Sequence, residues 1–207
     1  MSEKLAQKTC NEFTELLASE APIPGGGGVA AVAGAMSSAL CSMVGNLTKG
    51  KKKYAQYEED VLRMVSEAQA LRLKLMMLID EDANGFKPLQ EAYSIPKSHP
   101  GREQVLIEAS ISAGQAPLEM MTCICQVIDL LDVMRIKGNQ LLVSAVGCGA
   151  LLARAALVSA AMNIFVNTMS IKCADAKAIE ELRESLLDEY LPKAEETAAL
   201  VLEKLRK

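Results

Sequence analysis

Two long stretches without net polarity set the terms on which this chain can fold. Residues 29–48 carry no charge at all, and residues 140–166 carry only Arg154. Each is long enough to cross a bilayer as a helix. Both, however, are rich in Ala, Gly, Ser and Asn rather than Leu, Ile and Phe, and a mid-span Arg154 adds about 2.5–3.5 kcal/mol to insertion. Helices apolar on every side also form the centre of a bundle or an oligomer. In the first stretch Gly34, Ser38, Cys41 and Gly45 recur at steps of four, three and four, a small-residue stripe that lets another backbone approach closely. The expectation is a chain that does not enter a membrane and packs these helices against a second subunit.

Other segments agree. Phe13, Leu16 and Leu17 mark an amphipathic first helix that ends before Pro22 and Pro24. Gly25, Gly26, Gly27 and Gly28 then read as a mobile turn. Val61, Met64, Ala68, Leu71, Leu75 and Leu78 alternate steps of three and four, a helical core face whose next position is Asp82, with Asp80 and Glu81 pointing to solvent. A loop spans 94–101, a helix covers 102–116, and Pro117 opens or kinks another that runs to Arg135. In that helix Met120, Ile124, Val127, Leu131 and Met134 form a face that leaves Asp132 outside. A charged amphipathic helix from 178 to 206 closes the chain. No segment alternates with period two. Half of the 207 residues are hydrophobic but only 3% are aromatic, an aliphatic mixture that favours helix over sheet. The expected fold is all-α: one helical bundle domain over residues 1–207, with long small-residue-rich helices, forming a homodimer.

Charge and side-chain chemistry exclude several functions. Net charge is −4 and Trp is absent, so neither a basic footprint nor stacking platforms for nucleic acid are evident. The single His99 sits in a Pro- and Gly-flanked loop and reads as solvated. Six cysteines (Cys10, Cys41, Cys123, Cys125, Cys148 and Cys173) include no C-x-x-C pair. They read as small hydrophobes of a reduced cytoplasmic protein rather than as disulfides or metal ligands. The first six residues, MSEKLA, lack the apolar core of a secretory signal.

Four constellations could carry chemistry. The glycine run leading into a helix exposes backbone N–H groups beside a positive helix end; it reads either as a site for an anion or polar ligand edge or as a flexible connection. Residues 45–51 have the spacing of a phosphate-binding loop, but Lys52 stands where Ser or Thr should hold magnesium and no strand precedes it. What remains is a cluster of Lys49, Lys51, Lys52 and Lys53 followed by Tyr54, either a solvated face or a mouth for a polyanion. Asp82, on an otherwise apolar stripe, must be paired or have its pKa raised by desolvation; the alternatives are a proton-transfer group and a helix-end carboxylate already in solvent. Ser159, Asn163 and Asn167 lie four apart on an apolar helix, as an interhelical ladder or as recognition groups, with Asn139 a further amide.

In order along the chain, residues 22–31 (PIPGGGGVAA), 45–54 (GNLTKGKKKY), 82–86 (DANGF), 95–97 (IPK), Gly138-Asn139, and 144–167 with its NIFVN ending resemble the cyclodeaminase/cyclohydrolase family, related to the C-terminal domain of formiminotransferase-cyclodeaminase. The resemblance implies an all-helical, dimeric folate enzyme acting on a tetrahydrofolate derivative, with no separate cofactor and no metal. Stand-alone members with a similar lysine run are methenyltetrahydrofolate cyclohydrolases, and that activity is expected here, with cyclodeaminase as the enzymatic alternative. It implies Asp82 as the catalytic group. Pro24, the four glycines, Asn46, Tyr54, Ser144, Asn139, Asn163 and Asn167 are implied to bind substrate, with Lys51, Lys52 and Lys53 meeting the glutamate tail. One position departs: where the family carries Ser-Asp, this chain reads Ser144-Ala145. That loss motivates a third reading, a folate-binding protein of weakened activity.

Overall fold

The computed structural model describes residues 4–207; Met1, Ser2 and Glu3, on which part of the signal-peptide reading rests, lie outside the described residues. Among the described residues six α-helices follow in order: α1 (Cys10–Leu17), α2 (Gly26–Asn46), α3 (Glu58–Tyr93), α4 (Arg102–Lys137), α5 (Val143–Thr168) and α6 (Ala174–Leu205). Among the described residues there is no β-strand. A capping box on Thr9 and Glu12 starts α1.

The five long helices alternate in direction. Gly27 of α2 faces Asp82 of α3 while Gly45 faces Val65, so these two run antiparallel. Gly26 faces Asn163, and Ser37 donates to the Gly149 carbonyl at 2.8 Å, so α5 also runs against α2. Helix α4 touches α2, α3, α5 and α6, which explains its burial on more than one face: Met120, Ile124, Val127, Leu131 and Met134 are at most 1% exposed. Asp132 lies off that face, accepting from Arg135 at 3.0 Å and from Thr197 at 3.3 Å.

The two apolar helices pack against each other and against α4 in this arrangement. Both α2 and the segment Gln140–Thr168 are long and apolar enough to cross a membrane, and 56% and 44% of their most apolar windows are buried inside the bundle. The small-residue stripe of α2 serves packing within the chain rather than against a second subunit. A methyl on Gly34 would sit 2.9 Å from Ile124 of α4, and one on Gly45 2.4 Å from Val65 of α3.

Three local expectations change. Gly26, Gly27 and Gly28 form the first turn of α2 rather than a mobile turn, with Gly25 as its N-cap. Asp80 is not free in solvent; it accepts the Leu5 backbone N–H at 2.8 Å and ties the N-terminal segment to α3. Pro117 does not open a new helix, because α4 runs through it from Arg102 to Lys137. Proline has no N–H for the carbonyl four residues earlier. That carbonyl, on Ala113, accepts Asn167 Nδ2 from α5 at 3.1 Å instead.

Candidate active site

The first turn of α2 and the middle of α3 meet without an intervening side chain. A Cβ built on Gly27 would lie 2.4 Å from both carboxylate oxygens of Asp82, so only glycine lets this carboxylate rest against the helix backbone. Asp82 continues the buried stripe of Leu75 and Leu78 and is half-buried at the rim of a cleft of about 170 Å³. It makes no hydrogen bond or ion pair among the described residues, and burial pushes its pKa up to about 6.

The cleft brings together much of the expected set. Gly25, Gly27, Asp82, Asn163 and Asn167 line it. Gly26 faces the Asn163 amide, and Pro24 is buried against Gly28. Asn163 Nδ2 donates to the Ser159 carbonyl at 2.8 Å, and Asn167 Nδ2 is committed to Ala113. Both amides therefore keep Oδ1 as an acceptor, while the first turn of α2 supplies N–H groups with no intrahelical partner. Ser159 Oγ bonds back to Ala155 O at 2.8 Å and stays within its own helix. Phe86 lines the cleft one turn beyond Asp82 and is legible from its i+4 spacing. Ile23, Ala113 and Val166 also line it; Ala113 arrives through packing, with no sequence signal of its own.

The remaining expected residues lie at the other end of the bundle. The 21 residues of α2 put about 30 Å between Gly26 and Asn46 at 1.5 Å per residue. There Asn46 accepts from Lys49 at 2.8 Å. Lys51, Lys52 and Lys53 are exposed on the connection to α3. Tyr54 is buried; its hydroxyl donates to Asn139 Oδ1 at 3.3 Å and accepts the Gln140 N–H at 2.9 Å. The Asn139 N–H donates to Thr48 Oγ1 at 2.8 Å. These bonds tie the α2–α3 connection to the α4–α5 turn. Ser144 is exposed at the start of α5, and Ala145 beside it is half-buried at this same distant end. No group of three or more His, Cys, Asp or Glu suited to a metal ion occurs among the described residues.

The helical order and the cleft are accompanied by a match of residues 9–188 to the family described as formiminotransferase-cyclodeaminase. The chain belongs to that family. A methenyltetrahydrofolate cyclohydrolase from Methylorubrum extorquens is 39% identical over 191 residues, 90% of this chain and 90% of the relative. A formimidoyltransferase-cyclodeaminase from Sus scrofa is 29% identical over 207 residues, covering 98% of this chain and 38% of that longer protein. Among solved structures, a formiminotetrahydrofolate cyclodeaminase from Thermotoga maritima superposes with a TM-score of 0.83 at 27% identity, over 95% of this chain and 98% of that one. In this formiminotransferase-cyclodeaminase fold, the Asp82 cleft combines an unpaired carboxylate, amide acceptors and free backbone donors, a set suited to proton transfer on a polar ligand.

Proposed function

We propose that this protein is a methenyltetrahydrofolate cyclohydrolase that opens the cationic ring of 5,10-methenyltetrahydrofolate to give 10-formyltetrahydrofolate. The observation that carries the reading is Asp82: a half-buried, unpaired carboxylate held against bare helix backbone in a cleft. Its ionised form attracts the amidinium carbon between N5 and N10. Water adds to that carbon as Asp82 takes one of its protons. The C–N5 bond then breaks, Asp82 returns a proton to N5, and the hydroxyl proton leaves as the formyl carbonyl forms on N10. One proton is released overall. The Oδ1 acceptors of Asn163 and Asn167 and the N–H groups opening α2 match the donors and acceptors on a pterin edge.

The test is loss of methenyltetrahydrofolate absorbance on adding the purified protein; a rate equal to the uncatalysed one refutes the reading. The Thermotoga maritima likeness supports the alternative, cyclodeaminase, in which ammonia leaves the formimino carbon. Ammonia release from 5-formiminotetrahydrofolate, with no turnover of the methenyl compound, would select it.

The working unit is a homodimer in this reading. Ser144, Cys148, Leu151, Ala155, Val158, Met162 and Phe165 follow strict four-three steps along α5, continued by Met169 at its C-cap, and Leu151, Met162 and Phe165 are 51%, 62% and 50% exposed. An uncharged seam of period 3.5 fits the same seam on a second copy. Light scattering should give a dimer, and Leu151→Glu a monomer; a monomeric wild type removes this part of the proposal.

A further inference from the structure

The cleft beside Asp82, at about 170 Å³, is too small for a whole folate, and a second, larger groove lies one helical turn away along α4 and just past the end of α5. Ala113 lines the cleft, and Ser110, one turn earlier on α4, lines the groove. Asn167 lines the cleft, and Ser170, just beyond the end of α5, lines the groove. The groove measures about 660 Å³ and is walled by the α3–α4 loop, the start of α4 and the α5–α6 turn. Lys97, His99, Arg102 and Lys172 face it, against Glu103 as its one carboxylate.

Of these, Lys97, Arg102 and Lys172 carry positive charge, and none of the three forms an ion pair among the described residues. Lys97 and Lys172 are exposed. Arg102 Nε donates to the Ile95 carbonyl at 2.9 Å, which fixes its guanidinium and leaves both terminal nitrogens available. His99 Nδ1 accepts the Gly101 N–H at 3.2 Å, so its other nitrogen points away from the backbone. Ser110, only 2% exposed, lines the groove with no hydrogen bond to its hydroxyl among the described residues. On an acidic protein of net charge −4, a groove with this excess of cations marks a binding place for several carboxylates.

We infer that this groove holds the γ-glutamyl tail of the folate, so that one chain binds the pterin at Asp82 and the tail carboxylates at Lys97, Arg102 and Lys172. The inference rests on the folate reading above and assigns the tail to a different place from Lys51, Lys52 and Lys53. Along α3, Asp82 and Tyr93 are eleven residues apart, about 16 Å at the helical rise, a span that a pterin joined to benzoyl-glutamate can bridge. The lysine run lies about 30 Å away along α2, out of reach of a monoglutamate held at Asp82.

The experiment compares methenyltetrahydrofolate monoglutamate with its tri-γ-glutamate. The wild type is expected to have a lower KM for the triglutamate. K97A/K172A should erase that difference by raising the triglutamate KM about tenfold, the loss of one or two charge-assisted contacts, while K97R/K172R should keep it. The K51A/K52A/K53A variant should also keep it. Equal KM values in the wild type, a preference that survives K97A/K172A, or one that disappears in K51A/K52A/K53A overturns the inference and leaves the cyclohydrolase reading in place. If no folate is turned over, titration calorimetry with free tri-γ-glutamate decides separately. Binding by the wild type and not by K97A/K172A retains the groove although the activity reading has failed; equal heats from both overturn it.

Discussion

Asp82→Asn keeps the shape of the side chain and removes its charge. In the native protein, burial raises this carboxyl from 3.8 to about 6. The protonated form is thus the one the fold favours, and the ionised form withholds stability. That penalty is absent below pH 3.8, grows as pH rises to about 6, and is constant above it. A shift of this size corresponds to about 3 kcal/mol at most, and solvent reaching the half-buried group reduces it to about 1–2 kcal/mol. Asp82→Asn should therefore raise Tm at neutral pH by about 2–8 °C for a domain of this size, and the gain should vanish near pH 4. Turnover of methenyltetrahydrofolate should fall about 10²- to 10⁴-fold, the usual contribution of a proton-transfer group. Thermal melts at both pH values and the absorbance assay read the two effects. A variant that melts lower at neutral pH, or keeps more than about a tenth of wild-type turnover, would refute the reasoning.

Gly27→Ala places a methyl 2.4 Å from both Asp82 oxygens and must turn the carboxylate away. With alanine the better helix former, Tm should change by less than about 2 °C while kcat/KM drops about 100-fold; unchanged kcat/KM would reject the geometry. The kcat/KM profile should rise with pH and level off above a midpoint of about 6, because the ionised carboxylate is the base, and the midpoint for kcat should be lower, because the bound cation favours ionisation. A profile flat from about pH 5 to 8 contradicts this assignment. Tyr54→Phe strands the Gln140 N–H and should lower stability by about 1–2 kcal/mol; wild-type Tm with a raised KM would instead return Tyr54 to the substrate.

The stripe from Val61 to Leu78 places Asp82 on the same helical face because periodicity alone decides which side chains share a face. Periodicity says nothing about which chain ends meet. Lys51, Lys52 and Lys53 look like part of the site in a linear reading, yet α2 carries them to the far end of the bundle. Lys97, His99 and Lys172, scattered over two loops, converge beside Ser110 only once α3, α4 and α5 have packed. Pro117 marks no helix boundary for a related reason. Its effect on a helix depends on whether the orphaned carbonyl finds another donor, and that donor, Asn167, lies 54 residues away. In sequence the glycine run reads as a turn or a ligand site rather than as helix, because glycines are poor helix formers; the close approach of Asp82 explains why Gly27 in particular stays small.

The bond from Asn167 to Ala113 also bears on how this fold tolerates change. A thermostabilisation campaign would target Pro117 first, since alanine restores the regular ladder of α4. The restored N–H then shares the Ala113 oxygen with Asn167, which weakens the anchor of an amide that lines the cleft. Substitutions at 117 and 167 are therefore epistatic for recognition, and an idealised α4 trades selectivity for heat resistance.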